Sequence, residues 1–427
     1  MRTSALQQDT DPKPKDFQVP GRAARVESAP IHVALLTGGM DRHYTYGLAM
    51  SLAADGIRLD VAGSDGVDGP EMHDTPGLTF LNFQRGKGRS ARVSKKVSKL
   101  LGCYMRLIAY AWKAKPEIFH ILWNNRIQLF DRTILMLYYK ALGKKVVLTA
   151  HNVNKAKRDG GDSLVNHLSL KMQYRLADHI FVHTDKMKND LLNEFGVPGK
   201  AATVIPYGIN NAVPSTDLTP VEARDRLGIS RGEKTILFFG NLRASKGLDY
   251  LLSAFEQLHA DDPRYRLIVA GHTIKGDNEY LRRVRVVMRR LEQDGSLILR
   301  NEFIPDDDIA LYFAAADVVA LPYTEIFQSG VLFLAYSFGL PVVATDVGSL
   351  RNDIIEGRTG FICKPRDAAS LAGAIKKYFE SDLHRELDDR KQEIRDYARA
   401  RHSWSDVAAI TQGVYRSLAG NRRLGVG

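Results

Sequence analysis

Ile31-His32-Val33-Ala34-Leu35-Leu36-Thr37-Gly38-Gly39 is the stretch on which the reading of the fold turns. A short, largely apolar run that ends in a glycine pair predicts a buried strand running into a tight turn. Apolar residues then recur at helical spacing (Tyr46, Leu48, Ala49, Leu52, Ala53), Gly56 stops the helix, and a second strand follows around Leu59–Ala62. Together they make a β-α-β unit.

The same alternation continues through Ile118–Leu122, Lys145–Leu148, His179–Val182 and Thr203–Ile205. Strands apolar on both faces, separated by helical stretches, predict a parallel sheet covered on both sides. Pro206 to Ser215 has turn chemistry without periodicity and reads as a linker. Thr219-Pro220-Val221-Glu222 then opens a helix with a capping residue, proline and a glutamate in the first turn. Beyond it the scheme repeats, with strands at Thr235–Phe239, Arg266–Ala270, Leu297–Leu299, Val318–Leu321 and Pro341–Ala344. The expected class is α/β: two doubly wound Rossmann-type domains, 31–212 and 213–395, facing across a cleft. Residues 1–30 read as a disordered lead-in and 396–427 as a C-terminal segment with a helix.

The 427 residues are 44% hydrophobic and 26% charged, which is globular composition. No apolar run approaches the ~18 residues of a membrane-spanning helix, and no secretory leader is evident. Cys103 and Cys363 are too few for a disulfide framework or a cysteine metal site, so a cytoplasmic protein is expected. The net charge of +11 is unevenly spread: residues 81–160 hold 18 basic and 3 acidic side chains. Such a local excess suits a nucleic acid, a phosphate-bearing partner or an anionic membrane. Within it, apolar residues 93, 97, 100, 101, 104 and 105 alternate with Lys95, Lys96 and Lys99. That pattern reads either as a membrane-surface helix or as a helix packed into its own domain.

Two strand-to-helix loops carry the chemistry. Phe239-Gly240-Asn241-Leu242-Arg243-Ala244-Ser245-Lys246-Gly247 places two cations beside a helix N-terminus, where unpaired amides and the helix dipole already favour an anion. Arg can grip two phosphate oxygens at once, although the same pair could be solvated turn residues. Leu321-Pro322-Tyr323-Thr324-Glu325-Ile326-Phe327-Gln328-Ser329-Gly330-Val331 presents consecutive amides at the start of an apolar helix, a second anion nest. Glu325 there could accept a sugar hydroxyl, or simply be solvated.

These loops, with the stretches 146–153, 177–210, 341–350 and 354–375, resemble family 4 retaining glycosyltransferases of the GT-B fold, over about residues 31–415. The tail from Trp404-Ser405-Asp406, within 396–427, resembles the segment whose helix crosses back to the first domain in that fold. The form with Gln328-Ser329-Gly330-Val331 resembles a subset of that family. The resemblance implies a donor-phosphate role for Lys246, with Arg243 replacing the usual arginine at Asn241. It places His151 near the reacting carbon and Gly38 and Gly39 beneath the donor diphosphate. Gly240, Gln328, Ser329, Gly330 and Val331 would complete donor binding, and Lys95, Lys96 and Lys99 the membrane or acceptor face. The family's paired glutamates fall on Ile326 and Leu334, so Glu325 is the remaining carboxylate.

The resemblance further implies sugar transfer with retention from a nucleotide-diphosphate sugar to a hydroxyl acceptor, either a lipid-linked saccharide or a growing glycoconjugate. No other cofactor is expected. No Asp-x-Asp motif stands in a suitable loop, so no metal site is expected. Residence would be cytoplasmic and peripheral on the inner membrane face, with nucleic acid a less favoured partner. A non-catalytic nucleotide-sugar or nucleic-acid binder, and an epimerase or phosphorylase of the same fold, are the alternatives.

Overall fold

The structure, a computed structural model, describes residues 31–84, 93–158, 161–209, 218–273 and 278–420, with the side chains of 93–96, 158 and 278 left out. The lead-in 1–30, the side chains of Lys95 and Lys96 and most of the Pro206–Ser215 linker lie outside the described residues.

The first sheet contains β1 (His32–Leu36), β2 (Arg58–Ser64), β3 (Leu78–Gln84), β4 (Ile118–Ile121), β5 (Lys145–Thr149), β6 (His179–Val182) and β7 (Ala202–Val204). The second contains β8 (Lys234–Phe239), β9 (Tyr265–Ala270), β10 (Leu297–Arg300), β11 (Val318–Leu321), β12 (Val342–Thr345) and β13 (Gly360–Cys363). Their spatial orders are β3-β2-β1-β4-β5-β6-β7 and β10-β9-β8-β11-β12-β13. The pairings are parallel, including β1 with both β2 and β4 and β8 with both β9 and β11.

In each sheet the chain works outward from a central strand, then returns to its other side. The order therefore reverses between β1 and β4 and between β8 and β11. Loops beyond the carboxyl ends of strands diverge at such a switch point and leave a crevice for a ligand. The Gly38-Gly39 loop follows β1, and the Gly240 and Pro322 loops follow β8 and β11.

The central strands are buried on both faces, as their predominantly apolar runs require. β3 and β13 are not among the strands anticipated from sequence. Both are edge strands. β3 intersperses polar residues along Leu-Thr-Phe-Leu-Asn-Phe-Gln, and β13 is four residues long and begins with glycine.

Thr219 caps the Pro220–Leu227 helix with a reciprocal bond to Glu222, the arrangement its sequence indicates. The Trp404–Gly420 helix packs against the Arg42–Ala54 helix of the first domain. Its Trp404, Val407, Ala408 and Tyr415 join Val33, Leu35 and Leu48 in one apolar cluster. Tyr415 Oη lies 2.6 Å from His120 Nδ1 beneath the sheet. Where the chain returns, Ile209 N donates to His402 O (2.9 Å) and Trp404 Nε1 donates to Ile209 O (2.7 Å). Outgoing and returning segments are thus hydrogen-bonded to each other between the domains.

Candidate functional site

Gly240 closes β8 with φ 113°, in the region open to glycine. Arg243, half-buried, heads a single 3₁₀ turn, Ala244–Lys246, which ends at Gly247 with φ 65°. A Cβ at Gly247 would lie 1.9 Å from Pro322 O, so only glycine lets this turn reach the loop after β11. Two contacts lock the loops together: Thr324 N donates to Ser245 O (3.1 Å), and Lys246 Nζ lies 3.7 Å from the Tyr323 ring centroid.

Across the switch point, Ser329 caps the Gly330–Ser337 helix: its Oγ accepts from Leu332 N at 3.4 Å and donates to Tyr323 Oη at 3.2 Å. Thr345 Oγ1 donates to Tyr323 O (2.6 Å), and Ser349 N to Phe327 O (3.0 Å). A Cβ at Gly240 would stand 3.7 Å from Val331 Cγ2. Gly240, Lys246, Ser329 and Val331 are therefore brought to one place, where a cation and a helix N-terminus meet. That combination favours an anion.

The remaining residues of these loops differ in their setting. Glu325 is exposed and forms no ion pair among the described residues. Gln328 Oε1 is buried without a hydrogen-bond partner. Leu334 is 5% exposed within the second domain's apolar core, so the position aligned with the family's second glutamate is part of the packing.

On the first domain's side, Gly38 and Gly39 have φ 59° and 70°. A Cβ at Gly38 would come within 2.7 Å of Asn124 O, and one at Gly39 within 2.9 Å of Gln84 Oε1. Thr37 Oγ1 accepts from Gly39 N (3.1 Å) and donates to Ala62 O (3.0 Å), which fixes the turn. Immediately after it, His43 Nε2 lies 3.3 Å from Asp306 Oδ1 of the second domain, so this loop borders the other domain.

His151 is half-buried just beyond the end of β5. Its ring stacks on Trp123 (4.1 Å, 7°), meets Tyr44 edge-on (4.6 Å, 88°) and places Nδ1 3.0 Å from His183 Nε2. Burial holds the pKa of His151 well below the usual imidazole value and that of His183 at about 4, so both rings are neutral. His151 Nε2 is buried and unpartnered.

Trp123, His183 and Tyr207, with Tyr44 from the first helix, are absent from the residues singled out by sequence. Tyr207 spans the two halves: its ring stacks on Phe333 (5.6 Å, 15°), and a Cβ on Gly330 would lie 3.6 Å from its Oη. The available signal is positional, since Trp123, His183 and Tyr207 each lie one to three residues beyond a strand's carboxyl end.

The helix Val93–Lys113 divides the apolar positions expected on one stripe. Leu100 and Tyr104 turn inward to the core, whereas Val97, Leu101, Met105 and Trp112 face outward, with Met105 65% and Trp112 70% exposed. The neighbouring helical stretch 128–141 exposes Leu129, Ile134 and Leu137, and the Leu164–Leu176 helix exposes Leu164, Val165 and Leu168. Lys99 and Arg126, in the same basic stretch, are exposed. Among the described residues no helix is long and apolar enough to cross a membrane, and no group of three or more His, Cys, Asp or Glu is placed to hold a metal ion.

Residues 37–213 match the family described as Glycosyltransferase Family 4, and residues 233–381 match Glycosyl transferases group 1. The chain is 28% identical over 281 residues to the D-inositol 3-phosphate glycosyltransferase of Corynebacterium aurimucosum, a match spanning 63% of this chain and 65% of that protein. The protein of the same name from Pseudarthrobacter chlorophenolicus is 27% identical over 403 residues, 89% of this chain and 90% of its own length. Sucrose-phosphate synthase from Thermosynechococcus elongatus superposes with a TM-score of 0.72 at 21% identity, covering 92% of this chain and 100% of that one. Anabaena HepE, solved with UDP and glucose, gives 0.69 at 18%, covering 91% and 100%. The chain is thus a family 4 glycosyltransferase domain followed by a group 1 glycosyltransferase domain, joined in the GT-B fold.

Proposed function

We propose that the chain is a retaining, metal-independent glycosyltransferase that moves a sugar from a nucleotide-diphosphate donor to a hydroxyl acceptor. The observation that carries this reading is the meeting of Lys246 with the Ser329-capped helix at the second domain's switch point. As the bond from the anomeric carbon to phosphate oxygen breaks, negative charge grows on the leaving diphosphate. Fixed cations and amides stabilise that charge more than they stabilise the ground state. Lys246, Arg243 and the amides of Ser329–Val331 fill that role. The acceptor oxygen forms its new bond on the face the phosphate leaves, and its proton passes to a phosphate oxygen. No covalent nucleophile is required.

The acceptor is proposed to be lipid-linked and taken up at an anionic membrane surface. In support, the Val93–Lys113 helix and the helical stretch 128–141 expose large apolar side chains within the basic stretch 81–160, and the Leu164–Leu176 helix that follows exposes three more. Interfacial helices combine apolar burial with attraction to anionic lipid in this way. The curated relatives support a second acceptor, a soluble phosphorylated polyol, since their name specifies inositol 3-phosphate. Incubating purified chain with a panel of nucleotide sugars, and with lipid-linked saccharide or inositol phosphate, tests both. Retained anomeric configuration in either product supports the proposal. Absence of transfer or hydrolysis from every donor would return the chain to a binding role.

A further inference from the structure

We infer that Tyr323 is a positioning residue that joins the two anion-binding loops into one rigid cradle, its ring seating the Lys246 ammonium and its hydroxyl holding the cap of the Gly330–Ser337 helix. This rests on the donor-diphosphate reading of that site. Tyr323 is fully buried, and three elements fix it: Thr345 Oγ1 donates to its carbonyl (2.6 Å), Ser329 Oγ to its hydroxyl (3.2 Å), and the neighbouring Thr324 N to Ser245 O (3.1 Å).

The Lys246 ammonium sits 3.7 Å from the ring centroid, on the face where the quadrupole is negative. A lysine is a point charge on a flexible stem, and ordering it on ligand binding costs side-chain entropy. Seated on a ring that cannot itself move, the ammonium is ordered before the anion arrives. Gly247 makes the arrangement possible, because its turn brings the lysine loop against Pro322, the residue before Tyr323. Tyr323 need not touch the diphosphate, since it acts through Lys246 and Ser329.

The test uses the full chain, with calorimetric binding of UDP, ADP and GDP, each compared with its nucleoside. Tyr323→Leu should weaken binding of the preferred diphosphate about tenfold and leave nucleoside affinity unchanged. Tyr323→Phe keeps the ring and should restore most of the loss. In a Lys246→Ala background, Tyr323→Leu should cost much less than in the unaltered chain, because only its hold on Ser329 remains. Where Tyr323→Leu fails to fold, the pair Tyr323→Phe and Ser329→Ala carries the test through the hydroxyl contact, and the two losses should not add. Losses that add in either cycle, or Tyr323→Leu binding diphosphate as the unaltered chain does, would overturn the role of Tyr323 alone. Failure of the unaltered chain to bind any nucleoside diphosphate would overturn the transferase reading together with it.

Discussion

Trp404 ties the returning C-terminal segment to the first domain, and its removal is the largest single loss of stability expected here. The indole is 7% exposed, donates to Ile209 O at 2.7 Å and meets the Tyr44 ring edge-on at 5.0 Å. Two glycines make room for it: a Cβ on Gly47 would come within 2.1 Å of the indole, and one on Gly208 within 2.3 Å. Truncating a buried tryptophan costs about 3–5 kcal/mol. Roughly 1–3 kcal/mol of that reflects the Ile209 carbonyl left unpaired, so Trp404→Phe should recover part of the loss.

Gly47 gives the more decisive test, because its sign separates two explanations. Gly47 lies inside the Arg42–Ala54 helix, where alanine would ordinarily add about 1 kcal/mol of helix stability. Against the indole the added methyl has no space, and overpacking of this kind costs about 1–3 kcal/mol. Urea unfolding followed by circular dichroism should therefore give lower midpoints for both Trp404→Ala and Gly47→Ala. A Gly47→Ala protein that is more stable than the unaltered chain would show that the helix does not dock as described.

Arg243→Ala and Lys246→Ala should each lower sugar transfer at least ~100-fold with the thermal midpoint nearly unchanged, since they act on the developing charge. Near-normal transfer by Arg243→Ala would show that it does not replace the arginine missing at Asn241. With those cations and amides facing the leaving group, transfer should survive excess chelator, and a strict Mg²⁺ or Mn²⁺ requirement would refute the electrostatic scheme. Sedimentation with vesicles should be strong for anionic and weak for neutral lipid, and reduced by Lys95, Lys96 and Lys99→Gln or by Leu101, Met105 and Trp112→Ser. Binding to DNA but not to vesicles would refute the membrane reading.

Stability should also fall in acid. His120, His183 and His402 are held neutral by burial at pKa values of about 3, 4 and 4, with His151 also well below normal, against about 6.5 unfolded. The unfolded chain then binds more protons, and stability complete above about pH 6.5 is lost as pH falls toward 4, by up to about 1.4 kcal/mol per pH unit for each histidine. Asp131 and Asp353, raised by burial to about 6, oppose this between about pH 4 and 6 but are fewer. A urea midpoint higher at pH 5 than at pH 7.5 would contradict this account.

The central architecture is legible in the sequence because burial on both faces leaves strands few polar positions. The runs around Val33, Phe119, Ile180 and Val343 declare themselves without regard to context. β3 escapes the same reasoning because an edge strand needs only one apolar face, and its Thr79, Asn82 and Gln84 disguise it as a loop. The basic loops are legible for a related reason. A glycine that ends a buried strand just before a helix has few structural explanations, and lysine or arginine between them adds a chemical one.

The aromatic enclosure around His151 is illegible to periodicity because its members share no element. Trp123 follows β4, His151 follows β5, His183 follows β6 and Tyr207 follows β7, at sequence separations of 28, 32 and 24. What they share is topology. In a parallel sheet every carboxyl end points to the same side, so the residues just beyond successive strands converge however far apart they are in sequence. The strand ends at Ile121, Thr149, Val182 and Val204 are therefore the places to look for such a set. Applied there, the rule identifies an aromatic or histidine residue within three positions of each end. Distance past a strand end taken together with chemical type thus finds Trp123, His183 and Tyr207 around His151 from the strand assignments, while Tyr44, on the first helix, escapes it.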